Sequence, residues 1–300
     1  MRLNRPSSKS PAAADYIGSA CCGFAPEVKA AASSEAKNQT IVACDRLAER
    51  YDDLFSRSRI GTQRGAVWEA LADTFRPGDQ ILELNCGTGE NALFLALYGI
   101  SVVACDASEG MIQTARHRMQ ALAPGAPIQF ELLHTEHLSK LRPGALFDGV
   151  LANFSGMNCV ADLKQTARDL ASLVAMGAPV LVCLSTRFCL SETLWFLLDG
   201  RVGTAFRRSS AIATVKVGDC AVKVHYPALK EVRKSFSPSF LMRSCTGIGV
   251  AVPPSYLEPI FRKYPRVLGL LRLLDRGISR LPLFRTTGDH MLVHFERVER

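Results

Sequence analysis

The stretch best equipped for chemistry is Glu83-Leu84-Asn85-Cys86-Gly87-Thr88-Gly89-Glu90, in which an apolar run from Ile81 passes into a glycine turn and then opens a helix. Glycine lets the backbone approach a ligand closely, and the first turn of a helix presents amide donors that its own ladder leaves unused. Seventeen residues after Gly89, Asp106 closes the next apolar run, where a carboxylate is able to accept both hydroxyls of a ribose. A glycine turn and an acid at neighbouring strand ends together predict a ligand of nucleotide type. Four further residues are candidates for moving a proton or placing an acceptor: Asn158, His225, Tyr226 and His290. Asn158 follows the fourth strand, outside the carboxyl ends where ligands of open α/β sheets sit, and histidine titrates near neutrality.

These residues need a scaffold, and the periodicity supplies one. Strands are predicted at 81–84, 102–105, 128–133, 148–152 and 179–184, with helices at 90–98, 111–122 and 161–174 between them. Helices alternating with short apolar strands predict a doubly wound, mostly parallel sheet covered on both faces. Two helical patterns precede it between Ile41 and Phe75, the first leading into Tyr51. Beyond Ser185 the rhythm changes. An amphipathic piece at 194–206 is followed by alternating runs at 211–217 and 220–225, read as a β-hairpin. A helix at 227–235, a strand at 240–250, a basic apolar segment at 256–284 and a last strand at 290–297 complete the chain.

Composition narrows the classes. Ten cysteines are scattered with no Cys-x-x-Cys pair and no Cys/His cluster, so no metal site is expected and a reduced, cytoplasmic setting is. The longest uncharged stretch, Leu170 to Thr186, is divided by Gly177-Ala178-Pro179, so no transmembrane helix is predicted. Residues 1–40, rich in Ala, Ser and Pro, read as a disordered leader ahead of one domain over 41–300. The net charge of +8 is unevenly placed, with 16 Lys/Arg against 4 Asp/Glu between residues 201 and 286. Such an excess suits an anionic small molecule, or a peripheral contact with an anionic membrane, as well as a merely solvated basic face.

The glycine turn and its flanking acids resemble those of the class I S-adenosylmethionine-dependent methyltransferases acting on small molecules, whose first motif is an acid at a strand end followed by Gly-x-Gly. The resemblance covers residues 45–186 by element order, and the final strand is similar to the antiparallel seventh strand of that Rossmann-like fold. It implies S-adenosylmethionine as cofactor, held by Glu83, Asn85, Cys86, Gly87 and Gly89 on the methionine side and by Asp106 and Ala107 on the ribose. It further implies contacts from Thr135 and Glu136 after the third strand and from Asn153 after the fourth. Tyr51, in an N-terminal helix, would fold over the cofactor. Two departures stand out. His134-Thr135-Glu136 replaces the Asp that many members place after the third strand. Asn153-Phe154-Ser155-Gly156 resembles only loosely the Asn-Pro-Pro-Tyr of enzymes that methylate nucleic acid amines, which disfavours a nucleic acid substrate.

Two other readings stay open. Gly87-Thr88-Gly89-Glu90-Asn91-Ala92 also satisfies the dinucleotide pattern Gly-x-Gly-x-x-Ala, and Tyr226 and Lys230 have the Tyr-x-x-x-Lys spacing of short-chain dehydrogenases, so an NAD(P)-dependent oxidoreductase is one. A non-catalytic cofactor-binding protein with an interaction surface is the other. Inserted segments at 187–225 and 252–287 are expected to cap the site, with Trp195, Phe196, Leu197, Leu198 and Phe206, and Tyr256, Leu257, Ile260, Phe261, Leu268, Leu270, Leu271, Leu273 and Leu274, lining an apolar pocket.

Overall fold

A computed structural model describes residues 39–48, 61–141, 144–217, 220–254, 257, 261 and 263–299 of the chain. The leader up to residue 38 and Tyr51 lie outside the described residues. Helix α1 spans 39–48 and α2 Gly61–Thr74. There follow β1 (Gln80–Leu84), α3 (Glu90–Leu97), β2 (Ser101–Asp106), α4 (Glu109–Leu122), β3 (Ile128–Leu132), β4 (Gly149–Ala152), α5 (Leu163–Ala171) and β5 (Pro179–Ser185). The second half adds α6 (Leu190–Leu198), α7 (Val202–Ala205), β6 (Ile212–Val217), β7 (Cys220–His225), α8 (Leu229–Phe236), β8 (Phe240–Ile248), α9 (Pro265–Ile278) and β9 (His290–Arg297).

Seven strands form one sheet in the order β3-β2-β1-β4-β5-β9-β8. The first five are parallel, and β9 is inserted antiparallel between β5 and β8. This is the expected Rossmann-like α/β sheet with its antiparallel last strand. Because side chains alternate across a strand, Ile81 and Glu83 of β1 face one layer while Leu82 and Leu84 face the other. The first layer closes around Leu71, Phe75, Leu95 and Ile112, and the second around Val150, Val182, Phe236 and Phe295. Close packing fixes one glycine in particular. A Cβ on Gly149 would stand 2.5 Å from the Phe75 ring, so β4 begins with the residue that lets α2 seat its last aromatic.

Hairpin β6–β7 stands apart from the main sheet. The two inserted segments meet each other: Leu190 donates its amide to the Thr287 carbonyl at 2.8 Å, Ser191 Oγ to the Val252 carbonyl at 3.3 Å, and Trp195 meets Phe261 edge-on. Leu273 borders a cleft between α9, α2 and β8, but Leu197, Leu198, Leu270 and Leu274 are exposed and do not line a pocket as expected. Leu198, Leu270 and Leu273 are 87%, 67% and 65% exposed, and α9 buries none of its residues. Of the expected lining Phe196 and Leu257 are buried, and Tyr256 and Ile260 lie outside the described residues. Amphipathic spacing fixes an apolar stripe but not the direction in which it faces.

Candidate cofactor and acceptor site

The carboxyl ends of β1, β2 and β4 and the start of β9 converge on one edge of the sheet. Glu83, fully buried on β1, has one carboxylate oxygen accepting from Asn91 Nδ2 at 3.1 Å, while its Oε2 is buried without a partner. Burial pushes its pKa up to about 8, opposed by the Asn91 hydrogen bond. Asn91 is the hub. Its Oδ1 also accepts from Trp68 Nε1 at 3.0 Å and Asn153 Nδ2 at 3.1 Å, tying α2, α3 and the turn after β4 to Glu83.

The glycine turn is shaped by left-handed backbone. Asn85, Gly87 and Gly89 have φ of 54°, 54° and 76°, and a Cβ at Gly89 would meet Ala115 at 3.0 Å. Asparagine is the side-chain-bearing residue that tolerates this conformation best, which accounts for Asn85. Asp106 draws the turn onto β2: one oxygen accepts from the Gly87 amide and the other from the Ser108 amide, each at 2.9 Å. Burial raises its pKa and these bonds oppose the rise. Each oxygen keeps a second lone pair, so the carboxylate is preset and still able to accept two hydroxyls. Ala107 follows it, and α1 reaches this corner through Asp45, which accepts from Ser108 Oγ at 2.6 Å and the Gly110 amide at 3.0 Å.

Across the turn, Thr135 donates Oγ1 to Asn85 Oδ1 at 3.1 Å, and Glu136 lies beside it in the 3-10 turn Thr135–Lys140. Cys86 is buried, with its amide bonded to the Cys105 carbonyl and its thiol pushed well above the ordinary range by burial. It packs the turn and is no nucleophile.

The turn after β4 carries a feature that no motif announced. Phe154 and Ser155 have φ of 39° and 65°, and Ser155 Oγ stands 2.6 Å from Ser185 Oγ and 2.9 Å from His290 Nε2. Asp289 lies behind the ring, with Oδ2 at 3.5 Å from Nδ1. Burial lowers the His290 pKa below the ordinary 6.5 and Asp289 counters this only in part, so the imidazole is neutral at pH 7 and able to accept a proton. Of the four candidates, His290 is the one placed beside a buried hydroxyl at this turn.

The other three are not. Asn158 is wholly buried and spends its amide on structure, donating to the carbonyls of His225 at 2.6 Å and Ser185 at 3.3 Å and accepting from the Ser185 amide. Tyr226 packs with Ala43, Val222 and Val224, while Lys230 is exposed on α8. His225 ends β7 on the detached hairpin, its pKa lowered by burial and then by Lys223. Sequence reasoning missed Asn91, Asp45 and Ser155, whose roles depend on contacts between elements.

Behind His290 lies a buried ion cluster. Arg208 Nη2 contacts Glu192 and donates to Asp289 Oδ1 at 2.8 Å, and Arg207 Nε donates to Glu192 Oε1 at 2.7 Å. Cys189, Glu192 and Asp289 come together closely enough to hold a cation, but the two guanidinium groups already neutralise the acids.

Residues 81–177 match the model of the methyltransferase domain family, over the strands and turns just described. That segment is therefore similar to a methyltransferase domain. It is 32% identical over 144 residues to a demethylmenaquinone methyltransferase of Symbiobacterium thermophilum, covering 47% of this chain and 56% of that one. A 2-phytyl-1,4-naphtoquinone methyltransferase of Synechococcus elongatus is 29% identical over 140 residues, covering 45% and 58%. The chain thus spans little more than half the length of these curated relatives. Among solved structures, an S-adenosylmethionine-dependent methyltransferase from Clostridium acetobutylicum superposes with a TM-score of 0.54 at 12% identity, covering 85% of this chain and 99% of that one, a likeness of fold.

Proposed function

We propose that the protein transfers the methyl group of S-adenosylmethionine to a small, partly hydrophobic acceptor. The observation that carries this reading is the buried, unpartnered Oε2 of Glu83 at a glycine turn preset by Asp106. A buried carboxylate oxygen without a donor is costly, and the ammonium of the cofactor's methionine portion would supply the missing partner. Asp106 would hold the ribose, with Asn85, Gly87, Gly89, Thr135, Glu136 and Asn153 around it. Tyr51, from its place in the sequence, remains a proposed contact. The cofactor supplies an electrophilic methyl group on a sulfonium, so the protein's task is to orient the acceptor, exclude water and take up a proton where the acceptor must lose one. We assign that last step to His290, with Ser155 between ring and acceptor and Asp289 behind.

The names of the two relatives make a reduced, prenylated naphthoquinone the first acceptor to test. We read 41–300 as one catalytic domain, with the segments 187–225 and 252–287 as its cap. A cytoplasmic location fits the free state of the seven cysteines whose side chains are described. The dehydrogenase reading is disfavoured because Tyr226 is buried among Ala43, Val222 and Val224 while Lys230 is exposed on α8.

Calorimetry against S-adenosylhomocysteine, NADH and NADPH tests the cofactor, and binding of a nicotinamide cofactor alone would refute the proposal. With an acceptor in hand, His290→Ala and Ser155→Ala are each expected to lower kcat by roughly 100- to 10,000-fold while cofactor binding persists. With S-adenosylmethionine saturating, wild-type kcat should fall on acidification only below the ordinary histidine range, because the His290 pKa is depressed. An acid limb at or above 6.5 would remove His290 from the role.

A further inference from the structure

Helix α9 is amphipathic and faces the wrong way for a helix of a self-contained protein. Val267, Leu270 and Leu274 follow one another at helical spacing on its outer side, 46%, 67% and 49% exposed, with Leu273 beside them and Leu281 and Leu283 exposed just past its end. What holds the helix to the body is polar. Asp275 accepts from the Ala251 amide at 2.6 Å, Arg276 pairs with Glu69 at 3.1 Å, and the Ser279 carbonyl accepts from the Gly247 amide at 2.8 Å. The apolar stripe is thus left outside by construction. An exposed stripe of this size marks an interaction surface.

The charge around the stripe says what covers it. Between Lys263 and Arg285 the only acid is Asp275, which is turned inward, against Lys263, Arg266, Arg272, Arg276, Arg280 and Arg285. A second copy of the chain would bring these cations face to face with their like. Arg272, Arg276, Arg280 and Arg285 line the cleft between α9, α2 and β8, whereas Lys263 and Arg266 are exposed beside the start of the apolar face, and an apolar face with such a basic flank matches the boundary between acyl chains and anionic headgroups. No described helix is long and apolar enough to cross a membrane, so this helix would lie on the surface.

We propose that α9 seats the protein on an anionic lipid bilayer, with Leu270 and Leu274 as its principal inserted side chains. The assignment stands on the helix itself and is independent of methyl transfer. Its position is suggestive of purpose: Asp275 fastens it to the residue three beyond the end of β8, beside the carboxyl edge that holds the candidate site, so a lipid-borne acceptor would meet the protein there.

Co-sedimentation of the full chain with phosphatidylcholine vesicles containing about 30 mol% phosphatidylglycerol tests it. Wild type should pellet with these vesicles, far less with phosphatidylcholine alone, and less again as salt is raised. Leu270→Ser/Leu274→Ser should weaken partitioning ~10-fold or more, and Lys263→Gln/Arg266→Gln should reduce the preference for anionic lipid. The Leu sites are exposed, so circular dichroism melting should show both variants folded. Wild type that stays in the supernatant would overturn the proposal, as would binding that the Leu pair leaves unchanged. A dimer seen by light scattering and dissolved by the Leu pair would overturn it in favour of a second copy on this face.

Discussion

Over β1 and β2, helices α2, α3 and α4 close on Leu71, Leu95 and Ile112 until almost none of their surface is left, whereas near β8 helix α9 buries no residue at all. Yet α9 is the richer in leucine, with five in 14 residues against one each in α2 and α4. The difference lies in what fastens them: side-chain packing on one side, and on the other a few polar contacts from Asp275, Arg276 and Ser279 that leave the leucines outside. Covering a sheet and displaying an apolar face are thus separate jobs, and the helix with most leucine is the one that buries none of it. The site uses both regions, since the glycine turn belongs to the first and His290 to the second.

The largest test of that division concerns how the second region is held at all without packing from α9. If its buried ions carry the attachment of α6 and the 207–208 segment to the start of β9, then Arg208→Ala, which strands Glu192 and Asp289 as buried charges, should destabilise the fold by about 3–5 kcal/mol. Chemical denaturation would read this as a lowered midpoint. A loss under about 1 kcal/mol would mean that solvent reaches the cluster and that packing holds this half as well.

Next in size is the preset carboxylate of the first region. Asp106→Ala should weaken S-adenosylhomocysteine binding by ~100-fold or more, since two charge-assisted hydrogen bonds to the ligand are lost together with the bonds that fix the Gly87 amide. Asp106→Asn should recover part of it. Equal affinity for wild type and the alanine variant, measured by calorimetry, would move the ribose elsewhere.

Glu83 gives a smaller, pH-dependent signature. Its carboxyl ionises near 4.5 in the unfolded chain and near 8 when folded, so across that window the folded state holds a proton that the unfolded state has released, and stability from this group falls as pH rises from 4.5 towards 8. A ligand ammonium reverses the preference by stabilising the ionised form. Affinity for S-adenosylhomocysteine should therefore rise up to ~10-fold per pH unit below about 8 and level off above, with roughly one proton released on binding at pH 7. Calorimetry in buffers of different ionisation enthalpy counts that proton. In Glu83→Gln both effects should vanish while the Asn91 contact remains.

How far the sequence discloses this arrangement follows the same line. The βαβ order, the glycine turn and Asp106 are legible because local propensity, burial and ligand chemistry agree there: each strand is a continuous apolar run, and Gly87 and Gly89 sit at left-handed φ. Asn158 misled for a physical reason. Its position past β4 is where ligands sit, but its amide bridges β5 to the hairpin, a contact between segments 67 residues apart that no spacing reveals. Ser155 and His290 are 135 residues apart and meet only because β9 is inserted beside β5. The α9 stripe was legible as amphipathic, and its direction was not, because direction is set by where Asp275 and Arg276 find partners on other elements.

The smallest expected effect sharpens that point most directly. Leu270→Ser, at a side chain 67% exposed, should leave the unfolding midpoint within about 0.5 kcal/mol of wild type, helix propensity being the main loss. Leu95→Ala in α3, at zero exposure, should cost about 2–5 kcal/mol through the cavity it opens between Ile81 and Ile112. If Leu270→Ser destabilised the isolated chain as Leu95→Ala does, its side chain would be packed against protein in solution, and the contrast between the two coverings would collapse. A neutral Leu270→Ser leaves that leucine with no role in folding, so any loss the substitution causes in binding to vesicles reports on the surface alone.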